Sequence, residues 1–175
     1  RTIAGKLVVD WSIDAFKNHD LVDFVIVVLP ANKTLDRNDV ITCAGGKSRS
    51  ISVYNGLIAA KNLSPDKVLI HDVARPAVSE DIITDIILAI NEETGAAPGL
   101  PINDAIWKVS DGKIEKTLNR NFIFRAQTPQ GFPYSKILKA HENQSDQSAF
   151  DDVELAKKFG LKVIFKIGNR DNMKI

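Results

Sequence analysis

The sequence has 175 residues, of which 44% are hydrophobic and 26% are charged, and its formal net charge is +1. These values are typical of one globular domain, and the near-neutral charge argues against a general nucleic-acid or membrane-surface partner. The single cysteine, Cys43, excludes an intramolecular disulfide and fits a reducing compartment. With no membrane-spanning apolar run and no basic-then-apolar leader, the sequence predicts a cytoplasmic protein.

The first half of the chain predicts two helices and three strands. A helix is expected from about Lys6 to Asn18, because apolar residues such as Leu7 and Trp11 recur at four-residue spacing, and no strand is expected ahead of it. Apolar and β-branched runs predict strands over 24–29, 40–43 and 68–71. Residues 31–39 are predicted to be a polar loop or a poorly ordered helix, and a helix is predicted over 50–61.

The second half changes rhythm once. Ser79 is a predicted helix N-cap ahead of a stripe of isoleucines. Asp111-Gly112 is a strong hairpin signal within 104–118, and it defines an arm of approximately residues 103–122. The other predicted elements are a small-residue strand at a crowded place over 95–102, strands from 122 towards 132 and over 163–167, and helices over 134–141 and 151–159.

Strands that alternate with helices predict an α/β fold with a doubly wound, mainly parallel (Rossmann-like) sheet, here with a β-hairpin arm. Residues 1–175 form one predicted domain. A hairpin among strand–helix units is an excursion from the sheet, and such an arm is expected to reach over a site or across to a second subunit.

The segment from Val68 to Pro76 carries the strongest functional signal. A short apolar strand is followed at once by Asp72, then by Arg75 and a proline that ends the extended segment. In open α/β sheets ligands bind beyond the carboxyl ends of the strands, where this acid–base pair would suit a ligand that carries hydroxyls, metal and phosphate. The alternative is a surface ion pair that closes a loop.

Other motifs are less specific. The glycine pair before Lys47 joins a strand to a helix, which suits close approach to a ligand but also a plain tight turn. Asp151 and Asp152 are interpreted as dipole partners of a helix N-terminus, and His71 as a hydrogen-bonded core residue. His19 and His141 lack neighbours at zinc-ligand spacing, and no nucleophilic triad is evident.

Taken together, the motifs resemble the 2-C-methyl-D-erythritol 4-phosphate cytidylyltransferase family. They stand in the family's order: Gly45-Gly46-x-x-Arg49-x-x-Ser52-Val53-x-x-Gly56-Leu57, Val68 to Pro76, Pro101-Ile102-x-Asp104, Gln127-Thr128-Pro129-Gln130-x-Phe132 and Asn172-Met173-Lys174. The form of residues 125–132 is also similar to that of fused bifunctional members.

The resemblance implies that the phosphate of methylerythritol phosphate attacks the α-phosphorus of CTP, with Mg²⁺ as cofactor. On the nucleotide side, it implies that Gly46 and Ser52 contact the cytosine. Asp72, Val73 and Arg75 would line the junction of ribose, metal and substrate, with Asp72 as the candidate metal ligand.

On the acceptor side, the resemblance implies that Arg120 and Lys174 are catalytic and hold the methylerythritol phosphate for attack. Thr128 would hydrogen-bond nearby. In this family the arm crosses a homodimer interface, so Arg120 is expected to serve the partner's site.

Several features depart from the family pattern. Ala105 and Phe150 replace usual threonines, and Lys47 stands where an acidic residue is common, so the contacts to substrate are expected to differ. The family's N-terminal triphosphate loop has no counterpart before Arg1, nor its C-terminal helix after Ile175. Residues 1–175 alone are therefore predicted to be inactive.

Two other interpretations stay open. A ribitol 5-phosphate cytidylyltransferase would share the fold, although the Pro101-Ile102-x-Asp104 motif is more similar to the isoprenoid branch. A non-catalytic nucleotide-binding relative is the alternative from a different class, and Ala105 and Phe150 would fit it.

Overall fold

The computed structural model describes residues 1–144 and 149–175. Helices and strands alternate along the chain, which confirms the α/β class. The helices are α1 (Val8–Lys17), α2 (Arg49–Ala60), α3 (Glu80–Ala89), α4 (Tyr134–Glu142) and α5 (Asp152–Lys158). The strands are β1 (Thr2–Ile3), β2 (Lys6–Leu7), β3 (Ile26–Leu29), β4 (Ile41–Ala44), β5 (Lys67–Ile70), β6 (Thr94–Pro101), β7 (Ile106–Ser110), β8 (Lys113–Leu118), β9 (Phe124–Ala126), β10 (Gln130–Pro133) and β11 (Lys162–Ile167).

The central sheet has the strand order β11-β6-β10-β5, with β9 paired to β6 at one end. Strand β11 is parallel to β6, and β10 is antiparallel to both β5 and β6, so β5, β6 and β11 share one direction. A second parallel pair, β3 with β4, continues the strand–helix pattern. The two reversed strands, β9 and β10, are local exceptions in a mainly parallel arrangement.

Helices cover both faces of the central sheet. Side chains of a strand point alternately to its two faces, so neighbouring residues of β5 pack against different helices. Val68 and Ile70 of β5 pack on a core formed by α2, α4 and α5, whereas Leu69 packs on the core formed by α3. Ile83 and Ile86 of α3 are fully buried. Burial of each such isoleucine stabilises the fold by about 1.5–3 kcal/mol. The predicted doubly wound layering is confirmed.

The small residues of β6 and β10 let the sheet and its helices approach closely. A Cβ on Gly95 would lie 2.6 Å from Phe132, and one on Gly131 would lie 2.5 Å from Ile90. Side chains at these positions would push α3 or the neighbouring strand away. The sequence-based expectation of a crowded strand is therefore confirmed.

The N-terminus differs from the prediction. Residues 1–7 form a small antiparallel hairpin, β1 with β2, and the helix begins at Val8 instead of Lys6. Ala4 and Gly5 make the turn with φ values of 49° and 79°. Four-residue apolar spacing cannot separate a short extended entry from the helix that follows it, so the boundary prediction was wrong.

Two further predictions need correction. Ser79 occupies the N-cap position of α3, but its side chain makes no capping hydrogen bond. The strand expected at 122–124 begins only at Phe124, because Phe122 has φ of 67° and turns the chain.

The predicted arm is present as the hairpin of β7 and β8. Asp111 and Gly112 form its turn with φ values of 49° and 74°, as the Asp-Gly signal indicates. Within the described residues these two strands hydrogen-bond to each other and not to the central sheet.

Candidate active site

Asp72 stands directly beyond the carboxyl end of β5 and forms the centre of the site. Its Oδ2 lies 2.8 Å from Lys174 Nζ, and its Oδ1 lies 3.6 Å from Arg49 Nε. Burial acts to raise the pKa of Asp72, but the attraction of Lys174, Arg49 and Arg75 outweighs it, so the pKa lies below its ordinary value. The Asp72 carboxylate is therefore ionised at neutral pH.

A chain of hydrogen bonds fixes the Asp72 backbone. The Asp72 N–H donates to Thr128 Oγ1 at 3.0 Å, and Thr128 Oγ1 lies 3.0 Å from His71 Nδ1. His71 Nε2 lies 3.0 Å from the Arg75 carbonyl, which only accepts, so Nε2 carries the proton and Nδ1 accepts from the Thr128 hydroxyl. Burial lowers the pKa of His71 to about 4, which keeps the ring neutral. The interpretation of His71 as a hydrogen-bonded residue is confirmed.

Arg75 ties the loop after β5 to the C-terminal segment. Its Nη1 donates to the Asn172 carbonyl at 2.8 Å and its Nη2 to the Ala126 carbonyl at 3.2 Å. Asn172 is fully buried and donates through Nδ2 to the Thr128 carbonyl at 2.8 Å. The segment that carries Lys174 is thus held against the same strand end as Asp72. Asn172 belongs to one of the sequence motifs, but only the fold reveals this role.

Gly46 and Ser52 meet at the start of α2. The Gly46 N–H donates to Ser52 Oγ at 3.1 Å, and the Ser52 hydroxyl donates to the Ser48 carbonyl at 2.9 Å. A Cβ on Gly46 would overlap the Ile51 side chain, so this loop requires glycine. Close approach of this backbone to a ligand and a cytosine contact both stay predictions.

Sequence reasoning missed a row of polar side-chain contacts behind Asp72. Arg49 Nη1 donates to Asp152 Oδ2 at 2.7 Å, and Asp152 Oδ1 lies 3.1 Å from His141 Nε2. Asp152 is 2% exposed, so it is a structural ion-pair partner and not only a dipole partner of α5. Asp151 is the residue that caps α5, accepting from the Glu154 N–H at 2.9 Å.

The side chains of the other predicted positions form no hydrogen bond or ion pair with Asp72 in the part of the chain that the structure describes. Val73 is half exposed, and its carbonyl accepts from the Ser12 hydroxyl at 3.2 Å. Arg120 is exposed at the base of the arm, where its Nη1 donates to the Asn103 carbonyl. In the described part of this chain no contact joins Arg120 to Asp72 or Lys174. Ala105 and Phe150 are both exposed.

The arrangement can bind an anion and a cation together. Arg49, Arg75 and Lys174 surround one carboxylate at a sheet edge, and a glycine loop lies at the start of the helix that carries Arg49. Residues 1–144 and 149–175 hold no group of three or more His, Cys, Asp or Glu side chains that could bind a metal alone. None of the helices in these ranges is long and apolar enough to cross a membrane.

Comparison with known proteins identifies the family. The model of the family "IspD: 2-C-methyl-D-erythritol 4-phosphate cytidylyltransferase" matches residues 1–175. A relative of that name from Roseobacter denitrificans is 42% identical over 180 residues, which cover 100% of this chain and 80% of the relative. A "Bifunctional enzyme IspD/IspF" from Ruegeria sp. (strain TM1040) is 41% identical, with 100% of this chain and 47% of the relative covered.

The chain therefore spans about half the length of its bifunctional relatives. The crystal structure of the 2-C-methyl-D-erythritol 4-phosphate cytidylyltransferase from Thermus thermophilus superimposes with a TM-score of 0.89 at 29% identity, over 99% of this chain and 85% of the other. The chain belongs to the IspD family of 2-C-methyl-D-erythritol 4-phosphate cytidylyltransferases.

Proposed function

We propose that this protein transfers a cytidylyl group from CTP to 2-C-methyl-D-erythritol 4-phosphate in the non-mevalonate route to isoprenoids. The products are 4-diphosphocytidyl-2-C-methyl-D-erythritol and pyrophosphate. The observation that carries the proposal is the Asp72–Lys174 ion pair beyond β5, in a chain that matches this family over residues 1–175. Because the substrates are phosphorylated metabolites and Cys43 fits a reducing compartment, we propose a cytoplasmic location.

The reaction needs positioning and charge compensation more than covalent help. A phosphate oxygen of methylerythritol phosphate bonds to the α-phosphorus of CTP, and the bond to the bridging oxygen breaks as pyrophosphate leaves. Lys174 and Arg120 would hold the attacking phosphate, since an ammonium and a guanidinium match its charge. The Lys174 side chain is 58% exposed, so its flexible stem is free to turn from Asp72 to an incoming phosphate.

On the nucleotide side, Gly46 and Ser52 would contact the cytosine through backbone and hydroxyl groups. Asp72, Val73 and Arg75 would face the ribose and the reacting phosphates. Thr128 supports this role indirectly, because its hydroxyl accepts from the Asp72 N–H at 3.0 Å.

The donor set near Asp72 fits Mg²⁺. Magnesium usually takes one or two carboxylates together with substrate phosphate oxygens, and Asp72 supplies one ionised carboxylate. Asp72 would hold the ion together with substrate oxygens, and the chemistry supplied there would be charge compensation for the leaving group. Lys174 and Arg49 flank the same carboxylate, so metal binding there is expected to weaken both ion pairs.

We further propose a homodimer formed through the arm. Trp107 and Ile114 of the arm are each 56% exposed, and Phe122 at its base is 94% exposed. Apolar side chains clustered on one hairpin favour coverage by a partner surface. The arm would then bring Arg120 to the partner's Asp72 site, which is consistent with its separation from Asp72 in its own chain.

The test is a product assay on the complete gene product. It is incubated with CTP, Mg²⁺ and either methylerythritol phosphate or ribitol 5-phosphate, and products are identified by mass spectrometry. We expect the methylerythritol product only, and its loss when EDTA removes the metal. Ribitol turnover would favour the sister activity, and tight CTP binding without any product would favour a non-catalytic relative.

The same assay on residues 1–175 alone tests the prediction that they do not turn over CTP. Product formation by these residues would contradict that prediction and leave the assignment of the reaction intact.

A further inference from the structure

A row of polar side-chain contacts runs from the protein interior to Asp72. His141 Nε2 lies 3.1 Å from Asp152 Oδ1, Asp152 Oδ2 lies 2.7 Å from Arg49 Nη1, and Arg49 Nε lies 3.6 Å from Asp72 Oδ1. The side chains of His141 and Asp152 are each 2% exposed, whereas that of Arg49 is 40% exposed. The row therefore has a buried base and an accessible end at the site.

Four elements meet along this row. His141 comes from α4, Asp152 from the first turn of α5, Arg49 from the first position of α2, and Asp72 from the loop after β5. The contact between Arg49 and Asp152 joins residues 103 positions apart. A tie between such distant segments fixes how the start of α2 sits relative to the end of β5.

Asp152 has no local task that explains its burial. Asp151 already caps α5, and both oxygens of Asp152 bind side chains of other elements. A carboxylate is costly to remove from water unless it is paired and hydrogen-bonded. The pairing with Arg49 meets this requirement, and it also leaves the Arg49 guanidinium with one anchored end and one end at Asp72.

Arg49 connects the two halves of the proposed site. Its backbone starts the helix that carries Ser52, whose hydroxyl accepts from the Gly46 N–H at 3.1 Å. Its side chain meanwhile lies beside Asp72. Movement of Arg49 would thus shift the segment from Gly46 to Ser52, here called the Gly46–Ser52 loop, relative to the Asp72 carboxylate.

We propose that Arg49, anchored by Asp152 and His141, is a positioning residue that aligns Asp72 with the Gly46–Ser52 loop. Asp152 then acts on the reaction only through Arg49. The kinetic part of this inference rests on the proposed function, whereas the alignment itself does not depend on it.

The test compares Arg49→Gln, Asp152→Asn and the double variant. Each single change is expected to lower kcat/KM for CTP by about tenfold, and the double variant by no more than the worse single one, because both remove one connected interaction. Effects that multiply in the double variant would overturn the inference. So would a lower melting temperature with unchanged kcat/KM in both single variants.

Arg37→Gln is a matched control. Arg37 also bridges carboxylates of separate elements. Its Nη1 lies 2.9 Å from Asp14 and 3.6 Å from Asp10 on α1, and its Nη2 lies 2.7 Å from Asp39 in the loop before β4. Its loss should leave kcat/KM for CTP unchanged. A drop equal to that of Arg49→Gln would mean that any arginine–carboxylate bridge matters, and it would overturn the specific role of Arg49.

Amide hydrogen exchange separates this inference from the proposed function. We expect faster exchange over residues 46–52 and 71–75 in Arg49→Gln and in Asp152→Asn, with no change in Arg37→Gln. If the unmodified protein makes no cytidine product, the proposed function fails while the exchange result still decides the alignment. Unchanged exchange in both segments would overturn the alignment.

Discussion

The Asp72 site and the hairpin arm are built in opposite ways. At the site, Asp72 pairs with Lys174, a residue 102 positions away, and the side chains of Arg49, Arg75 and Thr128 also have partners in other elements. In the arm, Ile106 pairs with Leu118 across a local turn, and the two strands hydrogen-bond within the described residues only to each other. The first region depends on the whole fold, and the second depends on a short stretch of sequence.

The arm and the Asp72 site are separate within the described part of one chain, and this affects how a complete site can form. The arm carries Arg120 but lacks contacts to its own Asp72 cluster within the described residues, and its apolar side chains Trp107 and Ile114 are exposed. A hairpin that pairs only with itself within the described residues and has an exposed apolar surface is suited to dock on another subunit. The comparison therefore predicts that the two regions act together between subunits and not within one.

Subunit mixing gives the largest expected effect. Asp72→Asn and Arg120→Gln should each lower kcat by a factor on the order of 100–1,000, as removal of one essential charged group does. Mixed and re-equilibrated, they should recover about a quarter of the unmodified activity, because half of the dimers are mixed and each has one intact site. Steady-state product formation after mixing measures this recovery.

A mixture of Asp72→Asn with Lys174→Gln is the matched control. These two residues contact each other in one chain at 2.8 Å, so no mixed dimer contains an intact site. Activity should stay at the level of the single variants. Recovery in this control, or none in the Asp72 and Arg120 mixture, would contradict the shared site.

Much of the site could be predicted from the sequence because strand ends are visible in it. A short apolar strand that ends just before Asp72 places this residue at a sheet edge, and β5 does end at Ile70. The turn at Asp111 and Gly112 was equally predictable, because positive φ favours these residue types. Each of these signals lies within a few consecutive residues, so it is visible in the sequence without knowledge of the fold.

The rest could not be predicted because it depends on tertiary contacts. Nothing in the spacing of Arg49, His141 and Asp152 indicates that they meet, and an acidic pair at a helix start ordinarily serves the helix dipole. Asn172 likewise has no local signature for its buried bond to the Thr128 carbonyl. The residues that support the site were therefore harder to identify than the candidate residues at the end of β5.

His71 offers a test of how firmly the site is tied to the fold. Its folded-state pKa of about 4 lies below the ordinary value of 6.5, so the unfolded chain binds a proton first as the pH falls. Stability should thus decline between these two pKa values, by about 2 kcal/mol from pH 7.5 to pH 5. Urea unfolding of the unmodified protein and of His71→Gln measures the difference, and the variant should show a flatter profile.

His19→Gln is the comparison for this experiment, because His19 is also buried but its ring bonds to Thr84 of α3 and not to Thr128. Its profile should keep the decline seen in the unmodified protein. If His71→Gln shows the same decline as the unmodified protein, the pH dependence of stability has another source. The hydrogen bonds of neutral His71 to Thr128 and to the Arg75 carbonyl then do not couple the site to stability.

Alanine substitution of two glycines has the smallest expected effect on stability. It compares the body of the domain with the arm under the same backbone strain. Gly160, between α5 and β11, and Gly112, at the tip of the arm, have φ of 79° and 74°, and neither has an atom within 4 Å of an added Cβ. Alanine at either position meets the same backbone strain, about 1 kcal/mol. The change in melting temperature should differ between the two variants. Gly160 precedes Leu161, a core residue, whereas Gly112 joins strands that pair with each other.

In dilute protein, where the proposed dimer would separate, Gly160→Ala should lower the melting temperature by about 2–4 °C. Gly112→Ala should leave it nearly unchanged and accelerate amide exchange in β7 and β8 only, since the strain is released by local opening of the arm. Equal shifts in melting temperature would mean that the arm unfolds together with the body of its own chain. The arm would then not be the independent projection that the shared site requires.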